Sequence, residues 1–149
     1  KMKDAKLTLS FAESVTGGLA ARGITQKEGA SIFFQGSIVC YSNMLKQKVL
    51  KVKKRTLDKY GAESIQCTKE MLSGIISITK SDVSVITTGI AGPKDHNGIK
   101  AGTIFFGFSF KGEKEFETIK FDGGRNEVIK KAVIHVYEKL ILIIDEYSN

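Results

Sequence analysis

The chain reads as an α/β protein, a single-domain three-layer α/β/α sandwich on a mixed sheet. Three observations predict it. Short apolar, β-branched or aromatic runs alternate with segments of helical spacing, in an order that begins β-α-β and ends β-β-α. Three glycine-bearing loops each follow an apolar run. The 149 residues, 42% hydrophobic and 26% charged, describe one ordinary globular domain spanning residues 1–149. A chain of that size buries roughly 68–70% of its unfolded surface and needs neither disulfide nor metal to fold.

The first run, Leu7–Ala12, is short, apolar and bounded by polar residues, as a strand should be. Glu13-Ser14-Val15-Thr16-Gly17-Gly18 follows, then Leu19–Thr25 as a helix that Ser14 or Thr16 would cap. Phe33–Tyr41 is a second strand, and Ser42-Asn43 caps a helix through Met44–Leu50. Basic Lys51–Tyr60 forms a short helix ended by Gly61. Met71, Leu72, Ile75, Ile76 and Ile78 recur at helical spacing within 68–79. Val83–Thr88 is a buried, β-branched strand, and a loop over Gly89–Lys100 holds the only proline, Pro93. Thr103–Phe110 and Glu115–Phe121 pair antiparallel around Lys111-Gly112. Asp122-Gly123-Gly124-Arg125 opens a terminal helix with Val128, Ala132, Val136 and Leu140 on one face.

The 23 basic residues exceed the 16 acidic ones by seven, which favours an anionic partner. Cys40 and Cys67 make neither a disulfide framework nor a zinc site, and fit a reducing cytoplasm. The longest apolar run near the end, Leu140–Ile144, is far short of the roughly 18 residues of a membrane span, and Lys1-Met2-Lys3-Asp4 carries no signal-peptide pattern. Lys1 precedes Met2, as in a piece of a longer chain.

The chemistry is expected at the loops Glu13–Gly18, Gly89–Gly98 and Asp122–Arg125, at the carboxyl ends of strands. If those strands are parallel neighbours, the loops converge on one pocket suited to a phosphate or nucleotide. No P-loop and no G-x-G-x-x-G is present, which argues against a P-loop NTPase or Rossmann dehydrogenase. The nucleophile elbow G-x-S-x-G is absent too. Of the two histidines, His135 sits mid-helix as a packing or surface residue, and His96 sits in a loop where it gates a pocket or is simply solvated. That leaves a serine without a histidine. Ser14 lies between a strand end and a helix start, where following N–H groups can hold an oxyanion. A lysine taken out of water can be its base, since burial disfavours the ammonium form. Tyr41 and Lys46 are five residues apart and can face the same opening.

These residues recur in the order of a known family. Ala12-Glu13-Ser14-Val15-Thr16-Gly17-Gly18, Gly29-Ala30-Ser31, Phe34-Gln35-Gly36, Tyr41-Ser42-Asn43 with Lys46, Tyr60-Gly61-Ala62 and Thr88-Gly89-Ile90-Ala91-Gly92-Pro93 resemble the CinA C-terminal domain, the PncC-type nicotinamide-nucleotide amidase. The likeness runs from about Leu7 to the terminal helix. It implies a bacterial enzyme that converts nicotinamide mononucleotide to nicotinate mononucleotide and ammonia. It further implies Ser14, Tyr41 and Lys46 as the catalytic set. Glu13, Thr16, Gly17, Gly18, Thr88, Gly89, Gly92 and Arg125 are then the substrate-binding positions. No metal or cofactor, a small-molecule mononucleotide substrate and a cytoplasmic homo-oligomer complete the expectation.

The chain departs from that pattern in five places. The usual proline before Gly-Ala-Ser is Glu28, and the usual Val-Ser-Glu after Gly-Ala reads Glu63-Ser64-Ile65. The Gly-Gly after the proline becomes Lys94-Asp95-His96-Asn97-Gly98. Pro-Val-Gly-Thr reads Lys100-Ala101-Gly102-Thr103, and Gly-Asp-Arg reads Gly123-Gly124-Arg125. The competing readings are an uncatalytic mononucleotide-binding scaffold and a competence-related nucleic-acid-binding module. The second draws on the six basic residues of Lys46–Arg55, but such runs are usually a solvated helix face, and no aromatic residues interleave here for base stacking.

Overall fold

A computed structural model describes residues 1–148; Asn149, the last residue of the expected domain, lies outside them. Strands β1 (Leu9–Glu13), β2 (Phe34–Val39), β3 (Val83–Gly89), β4 (Thr103–Phe110) and β5 (Glu113–Lys120) form one mixed sheet in the order β2-β1-β3-β4-β5. β1 runs parallel to β2 and β3, while β4 is antiparallel to β3 and β5. Helices α1 (Leu19–Thr25) and α5 (Arg125–Ser148) cover one face; α2 (Asn43–Lys48), α3 (Lys54–Tyr60) and α4 (Ile65–Thr79) cover the other. The single-domain α/β sandwich expected from the sequence is the observed fold.

Period-two alternation builds the two cores. Leu9, Phe11, Val83, Val85, Ile104, Phe106 and Phe108 pack with Val128, Ala132, Val136 and Leu140 of α5. Ala12 and Ile86 belong to the opposite core, with Met71, Leu72 and Ile75 of α4. Central strands buried on both faces need near-continuous apolar runs, which is how β1, β3 and β4 read. Edge strand β5 carries glutamates and lysines instead, and such charges discourage pairing with another chain. His135 of α5 packs on the Phe106 ring, 4.7 Å between centroids.

Several boundaries differ from expectation for local reasons. α4 begins at Ile65, because Ser64 accepts a hydrogen bond from the Cys67 N–H at 3.1 Å and caps the helix there. The basic helix α3 starts only at Lys54, since Lys51 takes a left-handed φ of 60° and breaks the chain's course. α1 is capped by neither Ser14 nor Thr16; its cap position is Gly18, with no side-chain hydrogen bond of its own. Glu13, at the end of β1, supplies the missing acceptors from below.

Asp82 joins the starts of β1 and β3. One carboxylate oxygen accepts from the Thr8 N–H at 2.9 Å and from the Thr8 hydroxyl at 2.7 Å. These two hydrogen bonds hold the Asp82 carboxyl below its ordinary pKa. The stability it contributes is therefore fully present above the unfolded carboxyl value of about 3.9 and is lost as pH falls through the lower folded value. Asp82→Asn is expected to cost about 1 kcal/mol at neutral pH. Urea denaturation of both proteins should show that difference narrowing in acid.

Candidate active site

The turn after β1 needs two residues with positive φ in succession, Gly17 at 58° and Gly18 at 98°. Glycine meets that demand without steric cost. The turn folds α1 back over Glu13, which is 1% exposed. One Glu13 carboxyl oxygen accepts from the N–H groups of Gly18 (3.0 Å) and Ala20 (3.1 Å) and from the Thr16 hydroxyl (2.7 Å). The other accepts from the Ala21 N–H at 2.9 Å and the Ser37 hydroxyl at 3.0 Å. Thr16 also shares a 2.7 Å hydroxyl contact with Thr87 on β3. Glu13 thus caps α1 and ties β1, β2 and α1 together directly beneath Ser14.

Ser14 is buried, and its N–H donates to the Thr87 carbonyl at 2.9 Å. Lys46, on α2, is 1% exposed and sends its side chain back toward β1. Its Nζ donates to Ser14 Oγ at 3.0 Å, to the Cys40 carbonyl at 2.9 Å and toward the Tyr41 carbonyl at 3.5 Å. Two main-chain carbonyls therefore aim the lysine nitrogen at the serine hydroxyl. Behind this pair, burial raises the thiol pKa of Cys40 and, despite nearby Lys46, pushes Cys67 up to about 12. Both thiols stay protonated and take no part as nucleophiles.

Ser14 opens into a cavity of about 590 Å³. Its lining includes Val15, Tyr41, Glu63, Arg125 and residues 89–96. All three glycine-bearing loops contribute to the cavity lining, although β4 lies between β3 and β5 in the sheet. Gly89 leaves β3 with φ 146°, and a Cβ there would meet the Thr103 carbonyl oxygen at 2.4 Å. Asp95 shapes the loop, accepting from Lys100 Nζ at 2.9 Å and the Ala101 N–H at 2.8 Å. The tip closes as a tight turn, with reciprocal His96 and Ile99 backbone bonds of 2.9 and 2.8 Å.

The expected site residues separate into two layers. Ser14, Tyr41, Gly89, Gly92 and Arg125 line the cavity, and Lys46 reaches it through Ser14. Glu13, Thr16 and Thr88 lie in the buried layer beneath, bonded to the protein itself; Thr88 donates to the Ala62 carbonyl at 3.4 Å. Gly17 and Gly18 turn the chain and do not line the cavity. Tyr41 is 64% exposed, and its hydroxyl meets Arg125 Nη2 at 3.1 Å rather than Ser14 or Lys46. Arg125 Nη1 donates to the Gly92 carbonyl at 2.8 Å, so the guanidinium bridges Tyr41 and the proline loop. Sequence reasoning missed Ser37, Thr87 and the Cys40 carbonyl, because a supporting hydroxyl or carbonyl leaves no motif. Glu63 carried a signal, the departure from Val-Ser-Glu.

Of the basic run, Lys46 is buried at the site, while Lys48, Lys51, Lys53, Lys54 and Arg55 are exposed. Among the described residues no group of His, Cys, Asp and Glu could hold a metal ion, and no helix is long and apolar enough to cross a membrane.

Known proteins share this sequence and fold. Protein MG115 homolog of Mycoplasma pneumoniae is 39% identical over 149 residues, 99% of this chain and 95% of that protein. A CinA-like protein of Fusobacterium nucleatum is 41% identical over 141 residues, 94% of this chain and 34% of its own length. The chain spans about a third of the length of the Bacillus relatives it matches. The crystal structure of a competence-damaged protein (CinA) superfamily protein from Escherichia coli superposes with a TM-score of 0.92 at 31% identity, covering 95% of this chain and 83% of that one. A competence or damage-inducible protein from Enterobacter asburiae gives 0.91 at 33% identity, with 95% and 90% covered. Residues 1–144 match the CinA C-terminal domain, and the chain belongs to that family.

Proposed function

We propose that the chain is an amidohydrolase that converts nicotinamide mononucleotide and water to nicotinate mononucleotide and ammonia. The observation that carries this reading is the buried Lys46 Nζ 3.0 Å from the Oγ of Ser14, a serine that lines a cavity together with Arg125. To act as base, Lys46 gives up the proton it directs at Ser14 Oγ, keeps two N–H bonds for the carbonyls of Cys40 and Tyr41, and turns its lone pair to the serine hydroxyl. Lys46 takes the serine proton directly, without Tyr41 as relay, because the Tyr41 hydroxyl is held on Arg125.

Ser14 Oγ then attacks the carboxamide carbon. The Gly17 N–H donates to the Ser14 carbonyl and the Gly18 N–H to Glu13, so neither is free for an oxyanion. The N–H groups of Val15 and Thr16 make no hydrogen bond among the described residues, and they take that role. Lys46 returns the proton to the amide nitrogen, the C–N bond breaks and ammonia leaves. Water activated by the same lysine clears the acyl-serine, giving the carboxylate and restoring Ser14.

Arg125 and the N–H groups of Ala91 and Gly92 hold the 5′-phosphate; Ile90 is excluded, since its N–H donates to the Thr103 carbonyl at 2.9 Å. Ammonia and nicotinate mononucleotide should appear in equal amounts from nicotinamide mononucleotide. Arg125→Ala is expected to raise KM about tenfold or more while leaving kcat within a few-fold, the loss of charged hydrogen bonds to phosphate. An unchanged KM removes Arg125 from the phosphate site. Binding without any ammonia release would make the protein a mononucleotide scaffold instead.

A further inference from the structure

Glu63 lines the cavity and has no part in the chemistry above. It stands between Ala62, whose carbonyl accepts from Thr88 at the end of β3, and Ser64, the cap of α4. Those two anchors fix the segment beside the proline loop. Asp95, the other carboxylate lining the cavity, is occupied by Lys100 and the Ala101 N–H. Glu63 makes no hydrogen bond or ion pair among the described residues. It lines the same cavity as Ser14, and like Lys46 it acts electrostatically on the buried Cys67 thiol, with opposite sign. Lys94, equally without a partner, lines the cavity with Arg125.

The cavity therefore carries an uncommitted negative charge from one loop and positive charges from two others. A nicotinamide mononucleotide has the matching dipole. Its ring nitrogen, bonded to ribose, is cationic, and its phosphate is anionic. We infer that Glu63 is a specificity-determining residue that faces the cationic ring, with Lys94 joining Arg125 at the phosphate, so that the site selects pyridinium nucleotides over analogues with an uncharged ring. This rests on the mononucleotide reading of the site. A neutral ring gains no attraction from Glu63 yet still strips water from it, so the discrimination has both a favourable and an unfavourable component.

The test is equilibrium binding of nicotinamide mononucleotide and of its reduced 1,4-dihydro form, whose ring is uncharged, by calorimetry at low salt. Ser14→Ala protein removes turnover from the measurement, and Glu63→Gln is added in the same background. Ser14→Ala should bind the oxidised form about two- to fivefold more tightly than the reduced one, the range of a partly screened ion pair. Glu63→Gln should erase that preference by weakening only the oxidised form. Equal binding of the two forms, or a preference that survives Glu63→Gln, overturns the inference. Binding of neither form overturns the mononucleotide reading and the inference together. Selective binding without ammonia release by the wild-type protein overturns the amidase reading and leaves this one standing.

Discussion

Lys46→Met is expected to lower kcat on nicotinamide mononucleotide by about 10²- to 10⁴-fold, the usual contribution of a positioned general base. KM should move little, because the lysine nitrogen contacts Ser14 and two main-chain carbonyls rather than the cavity itself. Methionine fills the buried stem without a charge, so the fold should persist. Ser14→Ala should cost about 10³-fold or more, since no other nucleophile is at hand and both nearby thiols are held protonated by burial. The double variant should be scarcely worse than Ser14→Ala alone, because a base with no nucleophile to activate contributes nothing. Steady-state ammonia release on the three variants checks this. Additive losses would mean that the two residues act separately.

Glu13→Ala is expected to be the most destabilising of these substitutions, by about 3–5 kcal/mol. It removes the acceptor for three backbone N–H groups at the start of α1 and two hydroxyls, and all of them are in or beside the core. Each of these donors, left without its acceptor, keeps its desolvation cost. For a domain of this size the melting temperature should fall by roughly 10 °C. Activity should fall as well, since Ser14 follows Glu13 directly and inherits its position from the same turn. Glu13→Gln, which keeps one oxygen acceptor but turns an NH₂ toward donors, should lie between wild type and alanine. A melting temperature unchanged in Glu13→Ala would show that Glu13 does not hold this corner together.

The residues that were legible in the sequence are those whose type and spacing carry the meaning. The apolar runs of β1 and β3 and the stripe along α5 announce their burial through period, and Ser42 announces its helix through capping. Ser14 and Lys46 stand out by loop position and spacing and again by the family resemblance, Arg125 by the resemblance, and the fold brings Ser14 and Arg125 to one cavity with Lys46 against the serine. Glu13, expected among the substrate-binding positions, lies bonded to five protein donors. Its burial among those donors is visible only once α1 folds back over it. Thr16 and Thr88 likewise show their protein partners only in the folded chain. Tyr41 could not be resolved either, because a tyrosine two residues past a strand end can turn inward to Lys46 or outward to Arg125, and long-range packing decides. The start of α4 was missed because Ser64 was not read as a cap.

The most direct test of the account is ammonia release from nicotinamide mononucleotide by wild-type protein and by Ser14→Ala, with nicotinate mononucleotide measured alongside. The wild type should release equimolar ammonia and nicotinate mononucleotide, and Ser14→Ala, still folded, should release neither. Full activity in Ser14→Ala, or no ammonia from a wild-type protein that binds the substrate, would contradict it.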